Sequence, residues 1–209
     1  MDSPYYFEKE TRMSITAKEV MDLRKETGAG MMDCKKALLE MKGDKTAAIK
    51  YLREKGISKA AKKAERKTSE GRVYSYIHSN NKVGVMIEIS CETDFVARNE
   101  QFEQLCKDIA MHIAASSPMS IDEDGLDQEK IKAEAEIYRN KAINDGKPEK
   151  IIDRIVEGQV AKYKKQNCLL DQEFVKDTDK TIKDVITEAV MSLGENIQIS
   201  RFVRFSLGE

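Results

Sequence analysis

The chain has 209 residues, of which 36 are Lys or Arg and 37 are Asp or Glu, so its formal net charge is -1 at pH 7. With so small a net charge, the chain as a whole is not attracted to nucleic acid or to an anionic membrane. Charged residues make up 35% and aromatic residues 6%, without tryptophan, and this composition favours a helix-rich soluble protein over an all-β sandwich.

Targeting signals and metal-binding patterns are missing from the sequence. No apolar run approaches the ~18 residues needed to cross a bilayer, and the N-terminus lacks the basic-then-apolar order of a signal peptide. The four cysteines form no C-x-x-C pair, and neither of the two histidines has a ligand at metal-binding spacing. We therefore expect reduced thiols in a cytoplasmic protein, with no metal, no cofactor and no membrane contact. Residues 1–13 show no period and are interpreted as an expression remnant or a natural tail.

Residues 14–56 predict a three-helix module. Thr16 and Glu19 form a T-x-x-E capping box at the first helix start. "TGAG" breaks that helix, and Gly43 and Gly56 are expected to end the second and third helices. Apolar residues recur at helical spacing: Val20, Leu23, Cys34, Ala37, Leu38, Met41, Ala48, Ile49 and Leu52.

A basic segment over residues 57–70 follows. We expect a solvated helical linker there, with a phosphate-contacting patch as the alternative.

Beyond residue 70 the period of the apolar residues changes from about 3.6 to about 2. Residues 72–91 alternate apolar and polar side chains around a turn at "SNN", which predicts a β-hairpin. The helix that follows it has one apolar face: Phe102, Leu105, Cys106, Ile109 and Ile113. "DGKP" then joins two long helices, whose sparse apolar seams predict an antiparallel coiled-coil arm.

The last segment predicts a helix that stops at Gly194 and a closing strand. Its alternation slips near Ser200 and Arg201, which indicates a bulge or a bend. The predicted fold class is therefore α+β. It has an N-terminal three-helix module and a core over residues 71–209, with an antiparallel sheet and a helical-hairpin arm inserted at about 126–166.

Between the hairpin and the next helix lies "SCETDFVARNE", residues 90–100. It places Thr93, Asp94, Phe95 and Val96 at a strand-to-helix corner. Two alternatives are open for Phe95: the ring fills the protein's own core, or it is held outward for a partner. Phe is most often buried, so local physics alone favours the first.

The sequence contains no pattern typical of an active site. "TGAGMMDCKK" lacks the phosphate-loop spacing G-x-x-x-x-G-K-[ST] and lies between two helices instead of after a strand. A Cys–His pair could form only across the fold, from Cys91 or Cys106 with His112, and has no local signature. His112 lies beside the apolar face of its helix, where packing at the core edge is the ordinary role. We expect no catalytic residue.

Three stretches taken together resemble the bacterial elongation factor Ts family. They are "LRKETGAGMMDCKKALLE" at 23–40, "ETDFVARNEQF" at 92–102 and "IAMHIAASSP" at 109–118, and residues 146–175 and 200–209 extend the match in family order. The resemblance implies a first module similar to ubiquitin-associated domains. It also implies a guanine-nucleotide exchange factor that binds the GDP complex of elongation factor Tu, displaces magnesium and GDP, and lets GTP load.

The resemblance also implies roles for particular residues. Four match the motif credited with displacing magnesium: Thr93, Asp94, Phe95 and Val96. For Phe95 the resemblance favours the second alternative, a ring held outward for the partner. Three match a segment of the N-terminal module, or head (residues 14–56), that contacts elongation factor Tu, which is a GTPase: Met31, Met32 and Asp33. Ordinary helix packing is the alternative for them. His112 matches a family histidine that faces the partner, and its position beside the apolar face is expected to leave it exposed.

The chain resembles the short form of the family, because it has one hairpin where longer members have two related halves. A missing half leaves a sheet edge or face to cover, which a homodimer would do. Two other readings stay open. One is an RNA- or ribosome-associated protein that uses the basic linker, although direct contact with nucleic acid is not expected. The other is a ubiquitin-associated-type adaptor with a coiled-coil arm.

Overall fold

The structure is a computed structural model and describes residues 15–208. The predicted tail, residues 1–13, lies outside the described residues. The chain divides into two compact units, Met1–Lys62 and Lys63–Glu209. Among residues 15–208, no helix is long and apolar enough to cross a membrane.

The first unit contains α1 (Ala17–Thr27), α2 (Met31–Glu40) and most of α3 (Lys45–Lys63). The predicted capping box is confirmed: Glu19 N donates to the Thr16 hydroxyl at 3.3 Å, and Thr16 N donates to the Glu19 carboxylate at 2.7 Å. The buried side chains are largely those that the helical spacing indicates: Val20, Leu23, Cys34, Ala37, Leu38, Ala48 and Leu52.

The predicted end of the third helix at Gly56 is wrong. α3 continues to Lys63, and Gly56 is a buried residue inside it. A glycine within a helix costs about 1 kcal/mol relative to alanine, which does not by itself end a helix. The residues after it, including Ala60 and Ala61, are good helix formers and continue the hydrogen-bonded ladder.

The second unit has a three-stranded antiparallel sheet in the order β1-β2-β5, formed by Glu70–Ile77, Val83–Cys91 and Gln198–Ser206. The predicted hairpin is confirmed, with Tyr74 opposite Ile87. The bulge is confirmed as well. Ile89 pairs with Ile199 and Glu88 pairs with Arg201, so Ser200 is the extra residue.

One face of the sheet packs against α5 (Glu100–Ser116). Strand β2 contributes alternate buried residues to this core: Val85, Ile87, Ile89 and Cys91. The predicted apolar face of α5 is buried throughout: Phe102, Leu105, Cys106, Ile109 and Ile113. The opposite face, which we call the outer sheet face, carries exposed apolar side chains: Val73, Ile77, Met86, Val203 and Phe205.

The remaining elements complete the second unit. The short helix α4 (Asp94–Ala97) lies between β2 and α5, and α6 (Gln128–Asn144) and α7 (Glu149–Asn167) pack as an antiparallel pair. Their shared apolar cluster contains Ala142, Ile152 and Val156. A two-stranded sheet that the sequence pattern does not predict pairs β3 (Glu173–Phe174) with β4 (Asp177–Thr181), and it leads into α8 (Ile182–Leu193).

Gly71, at the start of β1, allows the close packing of β1 against β2 to be tested. Gly71 has φ +152°, and a Cβ there would lie 2.2 Å from the carbonyl oxygen of Ile89. We expect Gly71→Ala to lower the free energy of unfolding by about 1–3 kcal/mol, because both the backbone angle and the contact become strained. Gly158 in α7 has no atom within 4 Å of its Cβ position. Gly158→Ala is therefore expected to be neutral or to stabilise by up to about 1 kcal/mol. Urea unfolding measures both, and equal effects would contradict the packing described at Gly71.

Candidate functional site

The corner predicted at residues 92–97 is built from two consecutive helix starts. Thr93 caps α4, and its hydroxyl accepts from Val96 N at 3.4 Å. Asn99 caps α5, and its side-chain oxygen accepts from Gln101 N at 2.7 Å. Ala97 is buried between the two caps. Each cap fixes backbone angles over the first turn of its helix, so the corner has a defined shape although α4 is only four residues long.

Phe95 points to solvent from this corner. Its side chain is 84% exposed, whereas Ala97 and Phe102 on the same stretch are buried. The interpretation of Phe95 as a plug for the protein's own core is therefore wrong. Leaving such a ring in water forgoes about 1.5–3 kcal/mol of burial free energy. The ring is thus available to a partner, while its role in binding stays a prediction.

Asp94 lies beside Phe95 in a weak ion pair. Its carboxylate is 3.3 Å from Nη2 of Arg98, and both side chains are well exposed. An exposed pair of this kind contributes about 0–1 kcal/mol, so the carboxylate can exchange Arg98 for another partner at little cost. Val96 is half-buried.

A second loop is bonded to the corner. The carboxylate of Glu195, between α8 and β5, accepts from the hydroxyl of Thr93 at 2.6 Å and from Thr93 N and Glu92 N at 3.0 Å each. The sequence alone does not single out Glu195. Its local signal was a carboxylate directly after the helix-ending Gly194, and nothing local indicates a partner so distant along the chain.

The thiols near the corner are unreactive groups. Cys91 donates from Sγ to the carbonyl oxygen of Thr93 at 3.2 Å. Burial raises the pKa of the Cys91 thiol to about 11 and that of Cys106 to about 12, so both stay protonated at neutral pH and are poor nucleophiles. Within residues 15–208, no three His, Cys, Asp or Glu side chains lie close enough together to hold a metal ion.

The head residues Met31, Met32 and Asp33 begin α2 in the first unit. Met32 is 76% exposed and Met31 is exposed too, so ordinary helix packing does not account for Met32. Asp33 instead joins α2 to α3, because its carboxylate accepts from Lys59 Nζ at 2.8 Å and from Lys55 Nζ at 3.3 Å. The hydrogen bond from Lys59 lowers the pKa of Asp33 below its ordinary value.

Comparison with known proteins shows the family of the chain. A sequence model of the family described as Elongation factor TS matches residues 9–209. The chain belongs to the elongation factor Ts family. The Elongation factor Ts of Oleidesulfovibrio alaskensis is 56% identical over 93% of this chain and 98% of its own length. That of Maridesulfovibrio salexigens is 57% identical over 94% of this chain and 96% of its own length. That of Geobacter metallireducens is 56% identical over 94% and 91%.

Membership places the chain among the translation elongation factors, proteins of protein biosynthesis. The outward corner lies in "ETDFVARNEQF", one of the three blocks that carry the resemblance. The fold class is α+β, as the sequence predicts.

In this elongation factor Ts family member the expected exposure of His112 is wrong. The side chain is fully buried. Its Nε2 lies 2.9 Å from Oε1 of Gln172, and its Nδ1 accepts from Val175 N at 3.3 Å. The imidazole is therefore neutral, with its proton on Nε2. The segment from Gln172 to Val175 covers His112, and this tertiary contact widens the buried face of α5 beyond what periodicity indicates.

Burial lowers the pKa of His112 below its ordinary value of 6.5. The unfolded chain therefore takes up this proton at a higher pH than the folded chain does. Stability from the neutral imidazole is complete above about pH 6.5 and is lost as the pH falls towards the lowered folded pKa. We expect the free energy of unfolding to fall between pH 7 and pH 5, and to fall less in His112→Gln. Urea unfolding at both pH values measures this, with the exposed His78→Gln as the matched control. A His112→Gln variant as pH-dependent as the wild type would contradict the burial of a neutral imidazole.

Proposed function

We propose that this chain is a guanine-nucleotide exchange factor for elongation factor Tu. It binds the complex of that GTPase with GDP, displaces magnesium and GDP, and permits GTP to load. It acts in the cytoplasm as a binding protein and not as an enzyme, because it makes and breaks no covalent bond. The observation that carries the proposal is the outward ring of Phe95, held on a capped corner in a member of the elongation factor Ts family.

Exchange follows from thermodynamic linkage. A factor that binds the nucleotide-free GTPase more tightly than the GDP-bound form must weaken GDP binding by the same factor. Each tenfold loss of GDP affinity requires about 1.4 kcal/mol of differential binding. Buried aromatic anchors supply much of the energy of protein interfaces, and Phe95 can bury its ring only against a partner.

The residues of the corner have different proposed roles. Phe95 is the anchor, and Asp94 leaves Arg98 to disturb polar contacts around the magnesium. Thr93 and Val96 hold these two side chains in place. In the head, Met31 and Met32 offer a second apolar contact to the GTPase, and Asp33 orients them through its two lysine partners. His112 is buried and is not part of the proposed contact set.

We propose the following domain roles as well. Residues 14–56 form a head similar to ubiquitin-associated domains, residues 57–70 a linker, and residues 71–209 the core. The helix pair within residues 126–166 acts as a coiled-coil arm. Three helices with a small shared core and an antiparallel pair with a sparse apolar seam support these assignments.

The RNA- or ribosome-associated alternative rests on the basic segment after Gly56. Several of its cations have partners within the chain: Lys59 binds Asp33, Lys63 binds the carbonyl of Gly194, and Arg66 lies 3.5 Å from Glu92. Phosphate contacts would have to break these bonds. We therefore favour the exchange factor.

Release of a fluorescent GDP from purified elongation factor Tu tests the proposal. We expect the wild-type chain to accelerate release strongly. Phe95→Ala is expected to lower the second-order rate constant by about 30-fold, because an interface anchor contributes about 2 kcal/mol or more. Asp94→Ala should lower it less, because Asp94 contributes polar contacts only.

The matched control is Ile137→Ala, which trims an exposed apolar side chain on α6. It should leave the rate constant unchanged. Circular dichroism must show each variant folded. The proposal fails if the wild type leaves the release rate unchanged, or if Phe95→Ala and Ile137→Ala slow release equally.

We also propose that a second copy of this chain covers the outer sheet face. In the strand register Gly84 lies between Ile77 and Phe205, and Met86 lies between Ser75 and Val203. The exposed apolar side chains of three strands are thus neighbours, and Phe205 is 70% exposed. Contiguous exposed apolar surface marks an interaction site. A two-fold axis would bury this face against itself.

Light scattering at high micromolar concentration tests the dimer. We expect the wild-type mass to be twice the 23.7 kDa of one chain. Phe205→Glu should return the mass to that of a single chain, because it places a charge within the apolar face. Ile137→Glu, on α6, should leave the dimer intact. A wild-type mass of one chain would rule this interface out.

A further inference from the structure

The loop that joins α8 to β5 is bonded to the corner that carries Phe95. Glu195 in this loop accepts three hydrogen bonds, from Glu92 N, Thr93 N and the Thr93 hydroxyl. The carboxylate thus bonds two consecutive backbone amides and a side chain of one short segment. Hydrogen bonds to a charged acceptor are about twice as strong as those between neutral groups.

The bonding is reciprocal, since the corner also binds the loop. Glu92 Oε1 accepts from Asn196 N at 2.7 Å. Asn196 is itself buried, and its Nδ2 donates to the carbonyl oxygens of Arg66 and Ala64 at 2.8 and 3.2 Å. Two adjacent residues of each loop therefore bond the other loop, and the chain entering β1 is tied to the same point.

Thr93 is the residue on which these bonds converge. Its amide and hydroxyl donate to Glu195, its hydroxyl accepts from Val96 N, and its carbonyl oxygen accepts from the Cys91 thiol. A threonine with all of its polar groups bonded has little freedom to rotate. Because Thr93 caps α4, its conformation sets the direction in which α4 presents Phe95.

We infer that Glu195 is a positioning residue for nucleotide exchange, an inference that rests on the proposed function. It fixes Thr93 as the cap of α4 and so holds the Phe95 ring in the orientation that the partner binds. An exposed ring on a loose loop would sample many directions and would also pack onto nearby apolar surface. Fixing it beforehand removes that cost from the step in which the ring enters its site and GDP leaves, so the cost affects the maximal release rate more than KM.

The primary test compares Glu195→Gln with wild type in the fluorescent-GDP release assay. Glutamine keeps the size of the side chain but replaces one acceptor oxygen with a donor, so it cannot accept all three bonds. We expect the maximal release rate to fall about tenfold, which corresponds to about 1.4 kcal/mol. We expect KM for the GTPase–GDP complex to change less than threefold, because the other contacts remain.

Asp184→Asn is the matched control. The Asp184 carboxylate accepts from Thr181 N at 3.0 Å and from the Thr181 hydroxyl at 2.9 Å, at the opposite end of α8. The same replacement of a carboxylate by an amide is thus made away from the corner. The control should retain the wild-type maximal rate, whatever it loses in unfolding midpoint. A tenfold loss in Asp184→Asn, or a Glu195→Gln rate within twofold of wild type, overturns the inference.

Variants at Thr93 test whether Glu195 acts through that residue. Thr93→Ser keeps the hydroxyl and should retain most of the maximal rate, whereas Thr93→Val removes it and should resemble Glu195→Gln. The double variant Thr93→Val with Glu195→Gln should be little worse than the poorer single variant, because residues of one network do not act additively. Additive losses would overturn the coupling.

Amide hydrogen exchange by NMR tests the positioning without the GTPase. The N–H groups of Glu92 and Thr93 should be protected in the wild type and exchange at least tenfold faster in Glu195→Gln. Core amides such as Ile87 should be unchanged. Unprotected corner amides in the wild type would overturn the inference even if exchange activity is present. If the wild type does not accelerate GDP release from the GTPase although these amides are protected, the proposed function fails. The inference then fails with it, and only the contact between the two loops remains established.

Discussion

The packing of β2 against α5 is the constraint on which the corner depends. Alternate residues of β2 and one face of α5 fill the same core, and the few residues between them must connect two elements whose positions are already fixed. The connection is made by two consecutive helix caps, at Thr93 and Asn99. With the apolar faces on both sides already buried, the ring of Phe95 is left to face solvent.

The corner combines an exposed ring with a fully bonded backbone. Exposure alone would be weak support for a binding role, because single apolar side chains are common on protein surfaces. Here the residue that directs the ring, Thr93, is bonded through its amide, carbonyl and hydroxyl groups, and one partner comes from a distant loop. Flexible surface loops do not maintain such bonding, since each bond must offset the entropy of ordering both loops.

Much of the second unit could be predicted from the sequence. The hairpin and the apolar face of α5 were recognisable because their apolar residues recur at the period of a strand and of a helix. The bulge at Ser200 was recognisable because the strand alternation is interrupted there. The end of α3 was not, because a buried glycine within a helix gives the same local signal as one that ends it. His112 was misjudged for a different reason. A segment some sixty residues later covers it, with Gln172 as its hydrogen-bond partner, and no periodicity within α5 reports that contact.

By itself the sequence determined the order of the longer elements, the family resemblance and the four residues of the corner, because capping patterns, turns and the order of blocks are properties of neighbouring residues. Local patterns left the direction of Phe95 open and only the family resemblance favoured an outward ring, and nothing in the sequence indicated that Glu195 holds Thr93. Only the tertiary structure decided these points. The direction of a side chain depends on which surfaces are already buried, and a hydrogen bond between residues far apart in the chain exists only after folding has brought them together.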